Sequence, residues 1–592
     1  MKNLLFIALL FIAAGAKAQT FNEVENLIAA ERFDEAIDSL QMIKTKNPQN
    51  QFVYFGLGET ILQSYKADSI SNSKNVILKK ARNYFQEGVK ADSLNPLNYV
   101  GLGIMELYQN DSYYNADQYF NKALKLIPEK KKHIRDIHIK TLIKLATAEL
   151  YRSEPRIDKS KEYIARLKEI APKNPEVYLA EGDILLFRNV NASEAIASYE
   201  KALSLNNNPL SNVKIGKVYL SARIFKDAEK HFENAIKEDS LFAPAYKGMG
   251  DLDYQTGRIA LAKKNYARFL QLTGNNIPAK ISYTKALFLA KDYNEALQSA
   301  EEVIKKDSSK TYLYRIAGYS AFEKENPDLT TARLNMDKLF KIASTEQLIP
   351  LDYQNYGQII LEQNKDSVEV AKGIDMLEKA YQADSTNVKL ISEILKNAYR
   401  FKVYPVAAKY LTMLIHKGMD TPNNYKLLGK IYYQLNKYNL ADSSFRKVIA
   451  KEPENVEAYL WLGYVSSAQD PDMKTGLAKP DFEKLLSVIG NDTVKYQKEM
   501  CDAYNYLASY YLLSEKHTDL NMAEHYFQKL LAASTAKNVQ IKSMHSLAYI
   551  KAKQKDYAQS KAYYLKILQL NPNDNDAKRG LKFTEKNLNA QK

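Results

Sequence analysis

The sequence predicts an all-α solenoid of about fifteen stacked helix pairs. Three observations predict it. A spacing pattern recurs along the chain with a period of about 34 residues. Within each copy the apolar residues fall at offsets of three, four and seven, the spacing of one helix face. The composition is sparse in Gly (21) and Pro (17) but holds 43 Tyr in 592 residues, which suits helices with aromatic packing. Hydrophobic content of 45% and charged content of 26% exclude wholesale disorder, and the length exceeds what one hydrophobic core usually serves.

The unit is clearest at residues 425–453, YKLLGKIYYQLNKYNLADSSFRKVIAKEP. Small residues at Gly429 and Ala441 let two helices approach closely, and Tyr432 and Phe445 fill the space beside them. Pro453 cannot continue a helix and opens the next unit. Tyr246, Met249, Gly250, Ala262, Tyr266 and Phe269 repeat the spacing, as do Ile215, Gly216, Tyr219, Ala228, Phe232 and Ala235. Further copies run through Gly103, Ala116 and Phe120, through Gly182, Ala195 and Tyr199, and through Ala548, Ser560 and Tyr564. One such unit cannot bury its apolar face alone, so stacking is required.

This pattern resembles the tetratricopeptide repeat (TPR) family over nearly the whole chain. The resemblance implies a right-handed superhelical solenoid of antiparallel TPR-like helix pairs. It also implies a concave groove lined by the first helix of each unit. By position, that groove would include Lys426, Lys430 and Tyr433, then Lys247, Asp251 and Tyr254, then Leu179, Asp183 and Phe187, and in the third unit Val100, Ile104 and Tyr108. The family's carboxylate clamp needs Lys and Asn at the positions of Lys426 and Lys430; the Asn is missing, which puts that mode of recognition in doubt.

The organisation follows. Residues 1–18 read as a signal peptide: Lys2 gives the positive start, Leu4 to Ala14 the short apolar run, and Ala16-Lys17-Ala18 the cleavage pattern. The run is too short to span a bilayer. Residues 19–320 form an N-terminal array, and 321–350 an irregular repeat or change of curvature around Asn326-Pro327 and Pro350. Residues 351–592 form a C-terminal array with a long loop at 467–481, Pro480 in the first turn of the helix that follows, and a C-terminal capping helix. An insertion at 66–76 delays the second helix of its unit to about Ala81. The tripeptides Asp92-Ser93-Leu94, Asp239-Ser240-Leu241, Asp384-Ser385-Thr386, Asp68-Ser69-Ile70 and Asp492-Thr493-Val494 resemble bacterial O-glycosylation acceptors; they equally suit helix ends, where Asp and Ser cap backbone N–H groups.

Formal net charge is +15, and removing residues 1–18 takes away Lys2 and Lys17 and no acid, leaving +13. That balance suits an acidic partner or a Lys-rich solvated surface. A single cysteine, Cys501, excludes an intramolecular disulfide and a multi-cysteine zinc site. The seven histidines are scattered, and no nucleophile elbow, phosphate loop or metalloprotease motif occurs. The reading is therefore of no enzyme and no cofactor. The expected function is a non-catalytic scaffold of the bacterial cell envelope, exported to the periplasm and peripheral to the outer membrane, at a secretion or assembly machine. Its partners would be other envelope proteins or peptide segments, with no nucleic acid and no direct membrane span. The alternative is a soluble periplasmic carrier or sensor for a peptide or acidic glycan.

Overall fold

The computed structural model describes residues 21–70, 73–109, 113–187, 191–274, 276–363 and 366–591. The expected signal peptide at 1–18 lies outside them. Among the described residues there are thirty-one α-helices and no strand. The chain divides into two compact units, residues 1–345 and 346–592.

In the N-terminal unit, nine helix pairs follow one another, from Phe21–Ala29 with Phe33–Lys46 to Thr311–Glu323 with Leu329–Ile342. The C-terminal unit holds six pairs, from Pro350–Gln363 with Ser367–Ala383 to Lys537–Lys553 with Tyr557–Leu570, and then the single helix Asn575–Gln591. Short connections make the two helices of a pair antiparallel neighbours. Most helices pack on the next in sequence within their unit, whereas Asp136–Ala148 packs on Pro96–Gln109.

Local chemistry sets the boundaries. Asn174, Asn208, Asn276 and Asn455 each cap a first helix by accepting a backbone N–H of its first turn. Proline occupies that same turn at Pro175, Pro209 and Pro278, where it forfeits no hydrogen bond. Seven pairs turn through one left-handed residue: Glu31, Arg223, Gly257, Lys291, Lys402, Asn436 and Lys555, with φ between 57 and 75°. In the turn after Pro422–Gln434, the N–H of Lys437 donates to Tyr432 O at 2.9 Å and that of Asn436 to Tyr433 O at 2.9 Å, satisfying two carbonyls at the helix end.

In seven pairs the core is an aromatic residue of the second helix laid on a glycine of the first. Phe445, fully buried, lies on Gly429, and Phe482 on Gly463 in the same way.

Three expected irregularities resolve differently. The insertion at 66–76 is mostly absorbed by longer helices, Val53–Ala67 and Lys74–Ala91, so the second helix starts at Lys74, not near Ala81; residues 71–72 lie outside the described set. The loop placed at 467–481 is shorter. Ser467 to Gln469 complete the helix Val456–Gln469, and Lys479 opens Lys479–Ile489 with Pro480 in its first turn. The connection is thus 470–478. Within 321–350, Leu329–Ile342 is a regular helix, and only a turn at 324–328 and the connection at 343–349 are not α-helical.

The N-terminal unit also closes on itself. Ala30, 2% exposed, sits in one apolar cluster with Val213, Leu220 and Phe242. Asp68 accepts the N–H of Ile277 at 2.9 Å, a bond spanning 209 residues. Ile70 packs on the cluster around Ile277.

Candidate binding faces

In the C-terminal unit, Lys426 and Lys430 lie one turn apart on Pro422–Gln434. Both reach Glu457 of the following pair, at 2.9 and 2.5 Å. Burial alone would raise the Glu457 carboxyl; the two ammonium groups outweigh it and hold the acid below its usual range. Lys430 Nζ also lies 5.4 Å from the Trp461 ring centroid. Tyr433 meets Trp461 edge-on at 5.4 Å, and Tyr464 meets it from the other side at 5.5 Å. Trp461 stacks on buried Phe445 at 5.8 Å yet stays partly exposed, as do Tyr433 and Tyr464. The result is an aromatic ladder, rooted in the core and flanked by a neutralised charge triad.

The sites expected in the N-terminal unit are less open. Lys247 pairs with Asp251 at 2.6 Å, and the same carboxylate accepts the Tyr266 hydroxyl at 2.8 Å, which together with burial raises that phenol's pKa. Tyr254 is exposed. Glu31, in the turn of the first pair, lies in the field of Lys217 and Lys247; burial raises its carboxyl against their pull. Lys247 therefore faces part of its own chain. Asp183 accepts from Tyr199 Oη at 2.8 Å and from Lys214 Nζ at 2.6 Å. Leu179 is half-buried and packs toward Tyr199. Phe187 ends the helix Pro175–Leu186 and lines a recess with Ile104 and Tyr108. Val100 is a correction: it is fully buried in core rather than groove-facing, because its helix Pro96–Gln109 packs against four other helices.

Sequence reasoning missed Glu31, Glu59, Lys66, Lys144 and Tyr151. Lys144 pairs with Glu59, and Lys66 Nζ donates to Tyr151 Oη at 2.7 Å, each pair 85 residues apart. No local spacing could have signalled them.

Three of the tripeptides ending in an aliphatic residue, those at Asp68, Asp92 and Asp239, take a simple form. Asp92 Oδ1 accepts the N–H of Leu94 at 2.9 Å, and Asp239 Oδ1 that of Leu241 at 2.8 Å. The aspartate thus bridges its own turn rather than capping the following helix. Among the described residues, no group of three or more His, Cys, Asp or Glu could hold a metal ion. No described helix is long and apolar enough to cross a membrane.

Two family models match the chain: TPR repeat at residues 429–470 and tetratricopeptide repeat at 541–574. Tetratricopeptide repeat protein 1 of Schizosaccharomyces pombe is 23% identical over 319 residues, which is 50% of this chain. The chain spans 30% of that relative's length. A TPR repeat-containing protein of Methanocaldococcus jannaschii is 24% identical over 451 residues, covering 70% of this chain and 74% of the relative. Among solved structures, the C-terminal part of a TPR repeat-containing protein from Cytophaga hutchinsonii is 28% identical, covering 44% of this chain and 98% of that one, at a TM-score of 0.31. The chain thus carries tetratricopeptide repeats at residues 429–470 and 541–574, set in a continuing series of helix pairs.

Proposed function

We propose that this protein is a non-catalytic interaction scaffold of the bacterial cell envelope, exported by residues 1–18 and holding other envelope proteins together. The observation that carries the reading is the ladder Tyr433–Trp461–Tyr464 with Lys430 beside it. Large aromatic rings that are half-exposed but fixed by a core partner are what protein interfaces use as anchors. A leader-like start followed by repeats supports the envelope setting.

A second observation favours protein partners over an acidic polymer. The lysines at the expected groove positions already carry acids: Lys426 and Lys430 share Glu457, and Lys247 has Asp251. Little unpaired positive field remains there for a polyanion.

The test is in-cell crosslinking of the tagged full chain, followed by envelope fractionation and mass spectrometry. Recurrent crosslinks to a few envelope proteins are expected. They should be lost when Trp461 and Tyr433 are both replaced by alanine, with helicity retained. A clean monomer with no crosslinked partner would overturn the scaffold reading.

A further inference from the structure

A recess of about 340 Å³ opens in the N-terminal unit. Its walls come from Val53–Ala67, Pro96–Gln109, Asp136–Ala148 with the turn after it, and the end of Pro175–Leu186. Phe55, Leu62, Phe85 and Ile104 make its apolar floor. The charges around it are mostly matched. Lys144 is neutralised by Glu59. Asp183 is engaged by Lys214 and by the Tyr199 hydroxyl.

Lys66 differs. Its ammonium group is met by the Tyr151 hydroxyl at 2.7 Å, lies 4.2 Å from the Tyr151 ring centroid and 5.8 Å from that of Tyr108. Among the described residues no carboxylate pairs with it. A cation resting on two rings, at the mouth of a recess with an apolar floor, is arranged to receive an anion on its open side.

We propose that this recess binds a small organic acid, a carboxylate carried on a compact aromatic or branched aliphatic body. The carboxylate would take Lys66, and the body would lie on Phe55, Leu62, Phe85 and Ile104. Size supports this class: the volume equals roughly eleven waters at about 30 Å³ each, room for one ring or branched chain with its acid group. Polarity supports it too. A sugar or an extended peptide must have its hydroxyls or backbone groups satisfied. Thr147 already donates to backbone carbonyls of its own helix, so beyond the Tyr108 and Tyr151 side chains beside Lys66, Gln63 is the neutral polar side chain left to offer a bond. The site lies in the other unit from the aromatic ladder and does not depend on the scaffold reading.

The test is titration calorimetry on the chain from Gln19 onward with 3-phenylpropionate and 4-methylpentanoate, each beside its neutral primary amide. Saturable binding of at least one acid is expected, with its amide about tenfold weaker or more, the scale of a charge-assisted hydrogen bond. Lys66→Gln should erase the difference between acid and amide, and Lys66→Arg should retain it. Both variants should keep the parent's thermal midpoint, because Lys66 is exposed. Equal binding of acid and amide, unchanged acid binding by Lys66→Gln, or no saturable binding of either acid would overturn the proposal. So would binding confined to peptides that end in an apolar residue, which would make the recess a docking point for protein.

Discussion

A Cβ placed on Gly429 would lie 2.7 Å from the nearest ring carbon of Phe445. The glycine is therefore the seat of the aromatic ring, and the two helices of the pair sit at the distance this contact sets. Gly429→Ala must push the ring or part the helices. We expect a loss of about 1–3 kcal/mol, the usual cost of overpacking. Because repeat arrays unfold locally, amide exchange should quicken first in Pro422–Gln434 and Tyr438–Lys451. A second change, Phe445→Leu, should return part of the loss in a double-mutant cycle. Uniform exchange across the C-terminal unit would count against so local a role.

Asp68 carries a different kind of contact. Its carboxylate accepts the N–H of Ile70 at 3.1 Å and that of Ile277 at 2.9 Å, while Asn276 accepts that of Ala279 at 2.8 Å. The first turn of Ile277–Leu289 is thus capped partly by its own neighbour and partly by a residue 209 positions away. Asp68→Ala should cost about 1 kcal/mol, as a lost helix cap does. The Ile277 amide should lose exchange protection and the Ala279 amide should keep most of its own. Equal loss at both would mean that the variant unseats the helix rather than uncapping it.

What was legible follows from sequence distance. Gly429 and Phe445 are 16 residues apart in one helix pair, and Gly216 with Phe232 and Gly250 with Tyr266 repeat that spacing, so the pairs and their number could be read directly. The closure of the N-terminal unit could not. Lys66 with Tyr151, and Asp68 with Ile277, join residues from different pairs, and no periodic signal marks them. The groove residues fell between these extremes. Lys426, Lys430 and Tyr433 come together around Glu457 and Trp461, both of the next pair. Val100 shares their repeat position but is buried, since the packing of four helices around its own outweighs the local pattern.

The left-handed turn residues offer a clean measurement of backbone strain. Gly257 has φ of 75° and nothing within 4 Å of an added Cβ. Gly257→Ala should therefore cost only the conformational penalty, about 1–2 kcal/mol. Arg223 holds the same turn position at φ 59° without being glycine. Arg223→Gly should stabilise its pair by up to about 1 kcal/mol, the relief being offset by the entropy of a glycine in the unfolded chain. Denaturation midpoints moving in opposite directions for the two variants would verify this; movement in one direction would refute it.

The connection at 470–478 is tied by one carboxylate. Asp470 accepts the N–H groups of Lys474 at 2.9 Å, Thr475 at 3.0 Å and Leu477 at 3.3 Å, and also the Thr475 hydroxyl at 2.9 Å. Burial pushes its pKa up, but these donors outweigh burial and hold it below the usual value. The sign follows. The folded carboxyl titrates below its unfolded counterpart near about 3.9, so the stabilisation is fully present above that pH and disappears as pH falls through the folded value. After correction for intrinsic rates, protection of the Thr475 and Leu477 amides should hold steady through neutral pH and fall away below about pH 4. Asp470→Asn should weaken it at every pH and remove the acid transition. Gly476, at φ 66° with the Tyr510 ring 2.5 Å from an added Cβ, anchors the same connection to the next helix pair. Gly476→Ala should loosen the loop without a new pH dependence. If Asp470→Asn kept the acid transition, another group would have to be the tie, and the four bonds to Asp470 would be a consequence of the loop's shape rather than its cause.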